Sequence, residues 1–163
     1  MDTWEIILNA LVRILREQLP DELARRDVAE IRESQIDEGG DHVTLDDGVF
    51  ITHSGDDVGK QCSEWVDGRI EYVAEIVRFG SDKREVRKSC SRTKAAVCRV
   101  LRDHMGLDAE AQAALSNGFK QVLLGKSEPA EGKKQGRFAR AQYLPIFCDV
   151  KSSRRADGSA PDL

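Results

Sequence analysis

No stretch of this chain approaches the roughly 18 consecutive apolar residues that a helix needs to cross a bilayer; the first apolar run, residues 6–8, stops at Asn9 and is followed by Arg13 and Arg16. The same segment lacks a basic stretch leading into a continuous apolar one, so it does not read as a secretory leader, and a soluble protein made in the cytoplasm is expected. Cysteine is scarce and scattered. Cys62, Cys90, Cys98 and Cys148 include no C-x-x-C pair, which argues against a zinc site and against the dense disulfide framework of a small secreted fold. Free thiols are expected, with Cys90, Cys98 and Cys148 at core-facing positions of a helix and a strand.

The motifs that carry chemistry are missing as well. No P-loop or G-x-G-x-x-G follows a strand-like segment, and the glycines sit among aspartates, the wrong sign for cradling phosphate. No G-x-S-x-G elbow, H-E-x-x-H pair or EF-hand spacing occurs. His42 and His53 flank Asp41, Asp46, Asp47, Asp56 and Asp57, a set able in principle to gather a divalent cation, while His104 stands apart. Asp beside Gly is the common turn pairing, so a turn role is expected for these carboxylates. His53 adjoins Ser54, but neighbouring side chains on a strand point to opposite faces. The expectation is a protein with no cofactor, no metal and no catalytic site.

What is present is an ordinary folding composition: 163 residues, 40% apolar and 33% charged, enough for one domain with a real core. The net charge of −4 conceals a division. Through Asp82 there are 20 acidic against 8 basic residues; from Lys83 onward there are 9 against 17. Such a division fits opposite fields on different surfaces, as suits a subunit joining its own copies head to tail, and it fits equally a chance segregation of solvated faces. Basic residues gather in Lys83, Arg84, Arg87, Lys88, Arg92 and Lys94, and again in Lys133, Lys134, Arg137 and Arg140. Nucleic-acid binding is one reading of these clusters. The aromatic content of 6%, the pI near 5.5 and the absence of an RRM-like or helix-turn-helix signature favour salt bridges between subunits instead.

Trp4, Ile7, Leu8, Leu11, Val12, Leu15 and Leu19 recur at three- and four-residue steps and predict a helix, capped by Asp2 or Thr3 and closed by Pro20. Residues 21–33 fit either a short second helix or the approach to a strand. From residue 35 to 68 the chain is rich in turn chemistry at residues 39–40, 46–48, 54–57 and 67–68, with short strands predicted at 43–45 and 49–52 and a longer one at 70–79. Helical spacing returns over residues 83–105, with Ser81 or Asp82 as cap and Gly106 as stop, and a short helix follows from Asp108 to Asn117. Strands are predicted around 119–124 and 139–150, separated by a long loop, residues 125–136. The expected fold is α+β, with a small, mostly antiparallel sheet packed against an N-terminal helix and a central helix, plus the short helix. Residues 1–151 form a single domain in this reading, and 152–163 a flexible tail.

The order of these elements resembles the tail-terminator proteins of long-tailed bacteriophages, over nearly the whole chain. The segments that carry the likeness are Trp4-Glu5-Ile6-Ile7-Leu8-Asn9-Ala10-Leu11, Ile70-Glu71-Tyr72-Val73-Ala74-Glu75-Ile76-Val77 and Tyr143-Leu144-Pro145-Ile146-Phe147-Cys148-Asp149-Val150. Head-tail joining and neck proteins share a similar architecture. The resemblance implies a virion protein forming a ring, usually a hexamer, that caps the tail tube, ends its polymerisation and meets the neck. Its partners would be its own copies, the tube protein and a neck or head-completion protein, with DNA passing through the lumen unread and no membrane involved. On this basis the loop 125–136, with Lys133, Lys134, Arg137 and Arg140, is expected to contact a neighbour or the tube. Asp46, Asp47, Asp56 and Asp57 are expected on the lumen or the opposing interface. A head-tail connector and a small nucleic-acid-binding regulatory module are the alternatives.

Overall fold

The computed structural model describes residues 1–40, 46–61, 65–116 and 118–153. Helix α1, Thr3–Arg25, opens where the sequence places it: the Glu5 carboxylate reaches back to accept from the Asp2 backbone N–H at 2.8 Å. It does not close at Pro20. The helix runs on through the proline, whose missing N–H and ring clash cost about 3 kcal/mol in a helix interior. Leu19 and Leu23, both essentially without solvent exposure, offset that, since each buried leucine contributes about 1.5–3 kcal/mol. The true end is a Schellman motif at Asp27, which adopts a positive φ of 53° while Val28 N–H donates to the Leu23 carbonyl at 3.0 Å. Residues 21–33 thus finish the helix and lead through a 3₁₀ turn, Glu33–Gln35, into strand β1, Ile36–Glu38.

Strand β2, Gly48–Gln61, pairs parallel with β1 and antiparallel with β3, Trp65–Gly80. Two expected turns are absent here. Residues 54–57 lie inside β2, where the register shifts between His53 and Gly55, so Ser54 is the extra residue of a bulge. Asp67 and Gly68 lie inside β3, opposite Lys151 and Val150. The strand predicted at 43–45, His42 and Cys62 lie outside the described residues.

Helix α2, Lys83–Asp103, follows, its first turn capped by Asp82, whose carboxylate accepts from the Arg84 and Glu85 N–H groups. Helix α3, Ala109–Ala114, is capped by Asp108. Strand β4, Phe119–Leu124, leads to a correction: the expected long loop is instead strand β5, Glu128–Lys134, forming a hairpin with β6, Arg137–Ser153. Its two-residue turn is Gln135-Gly136, both at positive φ (53° and 77°), the backbone of a type I′ turn that follows the strand twist. Strand β6 also reaches two residues past the expected end of the domain, and the tail predicted as flexible otherwise lies outside the described residues.

The result is the expected α+β architecture, a six-stranded and mostly antiparallel sheet in the order β1-β2-β3-β6-β4, with β5 beside β4 on the same edge of β6. Among the described residues all helix packing falls on one face. Helix α1 contacts β1 and β2, α2 contacts β3, β6 and β4, and the two helices pack on each other. Val49, Ile51, Ile70, Tyr72, Ala74, Ile76, Leu144, Ile146, Cys148 and Val150 fill that side, all at 2% exposure or less. No described helix is long and apolar enough to cross a membrane.

Candidate functional site

Because side chains alternate along a strand, directly paired residues share a face. Phe50 opposes Glu75, Val73 opposes Pro145, Glu75 opposes Tyr143, Phe79 opposes Ala139 and Glu71 opposes Phe147. None of these lies under a described helix. Among the described residues no helix covers this second face, which is apolar in part and carries both charge signs: Tyr143 is 39% exposed with Glu71 and Glu75 beside it, and Lys120, Lys134 and Arg137 lie on the same side of the sheet. Arg69 and Asp149 form an ion pair at 2.8 Å on the same face, and Arg69 holds the Asp149 carboxyl below its ordinary range.

The four aspartates expected to act together are separated. Asp46-Asp47 precedes β2 and Asp56-Asp57 lies well along it, roughly 30 Å away at strand rise. Asp47 faces inward: its carboxylate accepts from the Phe79 N–H at 2.8 Å and from the Arg78 guanidinium at 3.0 Å. Arg78 is 1% exposed and also donates to Thr93 Oγ1 and the Ala29 carbonyl. Asp56 lies on the helix-side face and bonds His53 Nε2 at 2.9 Å, while Asp57 opposes Arg69 on the bare face. The strand geometry, replacing the expected turn, is what divides the last two.

The basic residues divide too. Lys133 and Lys134 are exposed near the tip of the β5–β6 hairpin, and among the described residues neither joins an ion pair. Arg137 lies over the Phe79 ring at 5.0 Å and within 4.0 Å of Asp46. Arg140 turns to the helix side, where it and Arg87 of α2 hold Glu131 of β5 between them. These two guanidiniums, Arg87 foremost, pull the Glu131 carboxyl down to about 2. Arg140 and Asp47 are thus engaged within the chain.

No arrangement of nucleophile and base emerges among the described residues. His53 is stacked on Trp4 (ring centroids 4.8 Å, planes 9° apart), and Ser54 is the bulge residue beside it. Burial pushes the Cys90 thiol up to about 11 and the Cys148 thiol higher still, away from reactive thiolate. No described group of three His, Cys, Asp or Glu side chains is placed to hold a metal ion. The cleft of about 410 Å³ beside Arg78 and Asp47 is lined by that structural ion pair and by exposed charges of both signs on α2, Glu85, Lys88 and Arg92.

Two grooves on opposite sheet edges went unseen in the sequence. Beside β4 and β5, a groove of about 610 Å³ is lined by Arg26, Lys94, Arg99, Arg102 and Lys126 with no carboxylate in its lining. Arg26 and Arg99 are paired to Glu22 and Asp103, leaving Lys94, Arg102 and Lys126 without an ion pair among the described residues. Beside β1, a groove of about 440 Å³ carries Glu17, Glu33, Asp37 and Glu38 with Arg13 and Arg16. Arg13 is bound to Asp108 and Arg16 to Asp37, so Glu17, Glu33 and Glu38 join no ion pair among the described residues, though Glu17 lies within the field of Arg13.

No family model and no curated protein matches this chain. Among solved structures, a chain from the virion of a native gene transfer agent particle is similar over 85% of this chain and 95% of its own length, at 11% identity and a TM-score of 0.45.

Proposed function

We propose that this chain is a structural subunit of a bacteriophage virion, forming a ring, hexameric by the family resemblance, that caps the tail tube, ends its polymerisation and joins tail to neck. The observation that carries the reading is the one-sided sheet. A six-stranded sheet with helices on one face leaves Val73, Phe79, Tyr143 and Phe147 partly exposed on the other, an arrangement that suits a wall between a protein shell and a channel. On that face Arg69 and Lys120 are held by Asp149 and Asp67 and Lys134 and Arg137 lie at the hairpin end, while Glu71, Glu75 and Asp57 join no ion pair among the described residues; such carboxylates lining a lumen would repel passing DNA. In this reading the polar chemistry of the molecule serves contact with other chains, no reaction is assigned to it, and it acts at the tail-neck junction after assembly in the host cytoplasm.

The β5–β6 hairpin carries its charged tip at the end of the sheet, level with the end of β3, and is assigned the axial contact, to the tube protein or the neck protein. Changing Lys133, Lys134 and Arg137 together to Glu is expected to abolish co-sedimentation with tail tubes while leaving the circular-dichroism melt of the subunit within a few degrees. Undiminished binding to tubes would remove the hairpin from this role.

A nucleic-acid-binding module is the second reading, and the basic groove with Lys94, Arg102 and Lys126 is what favours it. Salt-dependent retention on duplex DNA by the isolated protein would select it, because phosphate contacts release counterions and weaken steeply as salt rises.

A further inference from the structure

We propose that the basic groove at the β4–β5 edge and the acidic groove at the β1 edge are the two halves of one contact, made between adjacent copies of this chain. The inference rests on the assembly reading above and names its lateral surfaces.

The two grooves lie on opposite edges of the same sheet, because β1 ends the strand order on one side and β4 with β5 end it on the other. A head-to-tail contact needs two unlike surfaces so placed; a symmetric pair would need one self-complementary patch. The charges match in number as well as in sign. Among the described residues three cations, Lys94, Arg102 and Lys126, have no ion pair in one groove, and three carboxylates, Glu17, Glu33 and Glu38, have none in the other. In each groove the remaining charges are held by partners within the chain, as Arg13 is by Asp108 and Arg99 by Asp103. Each groove is thus left with an excess of one sign, although Arg13 and Arg16 stay partly exposed in the acidic one. A polyanion such as DNA would account for the basic groove alone and leaves the acidic one without a purpose. A second copy accounts for both.

The register of the contact is built on rigid elements. Lys94 and Arg102 lie on one stripe of α2 at multiples of four residues, and Lys126 comes from the short β4–β5 connection. On the other side Glu17 projects from α1, Glu33 opens the 3₁₀ turn before β1, and Glu38 is the last residue of β1. Both sets are exposed or half-exposed, so desolvation is modest and attraction between them depends on salt.

The test uses two full-length variants, Lys94→Glu/Arg102→Glu/Lys126→Glu and Glu17→Lys/Glu33→Lys/Glu38→Lys, with sedimentation equilibrium at low ionic strength. Each alone presents like charges on both edges, and its apparent dissociation constant for self-association is expected to rise by about 100-fold or more over wild type. Mixed in equal amounts, the variants regain complementary edges and are expected to associate within about tenfold of wild type. Circular dichroism confirms that each variant folds. Wild-type-like association of either variant alone, or a mixture that stays dissociated, overturns the inference while an associating wild type still supports the assembly reading. A wild type that is monomeric throughout sinks the assembly reading and this contact with it. DNA retention lost only in the variant with glutamates at 94, 102 and 126, with association unchanged, would give the groove to nucleic acid instead.

Discussion

Replacing Asp47 with alanine is expected to lower the unfolding free energy by about 1–3 kcal/mol, the range for leaving a buried donor unsatisfied, because Arg78 is buried while Asp47 itself is 28% exposed. The reason is what the substitution leaves behind. Arg78, 1% exposed with Asp47 in place, loses the partner of one guanidinium nitrogen, and the Phe79 N–H loses its acceptor at the end of β3. The pair joins the start of β2 to the end of β3, and the other two bonds of Arg78 reach the α1–β1 connection at Ala29 and α2 at Thr93. Adding Arg78→Met to Asp47→Ala is expected to recover most of the loss, because no uncompensated charge then stays buried. Urea unfolding of the two single variants and the double variant measures this. If the losses simply add, the pair is not what holds these elements together.

Leu23→Ala is expected to cost about 2–5 kcal/mol, the range for deleting a leucine side chain from a packed core. Leu23 lies beyond Pro20 at 1% exposure and belongs to the same buried cluster as Leu15 and Leu19. The substitution therefore tests whether α1 continues through the proline. A loss below about 1 kcal/mol would mean that the last turn of the helix contributes little.

The contrast between α1 and α2 shows which features are local. Helix α2 could be read from its apolar spacing and its capping Asp82, and the structure places it where that spacing does. The start of α1 was equally legible. Its end was not, since Pro20 is a strong local stop signal and the burial of Leu19 and Leu23 that outweighs it is tertiary. Strand β5 was hidden for a different reason. All seven of its residues are exposed, so no apolar alternation marks it. What makes it a strand is pairing with β6, and the local trace is Gly136, whose freedom at positive φ suits the second position of the turn, while Gln135 takes a positive φ that its residue type does not announce. Turn-like Gly and Asp at 54–57 misled in the same way, because a bulge inside a long strand uses the same residues.

For the candidate surfaces, exposure was readable and partnership was not. Lys133 and Lys134 stand out in the sequence and do stand out from the hairpin. Asp47 and Arg140 looked like members of the same charge clusters, yet Asp47 pairs with a residue 31 positions away and Arg140 meets Glu131 across a hairpin. The basic groove collects residues 26, 94, 99, 102 and 126, and no window along the chain groups them. Glu33 and Glu38 carried no signal at all until β1 placed them at a sheet edge beside Glu17.

Native mass spectrometry of the wild-type protein at low ionic strength addresses most directly the claim that these polar surfaces exist to meet other chains. The expected spectrum is dominated by a closed multiple of the 18.2 kDa chain, six copies on the family resemblance, which dissociates as salt rises. A single 18.2 kDa species at every concentration and salt, alone and with tail tubes present, would contradict the account.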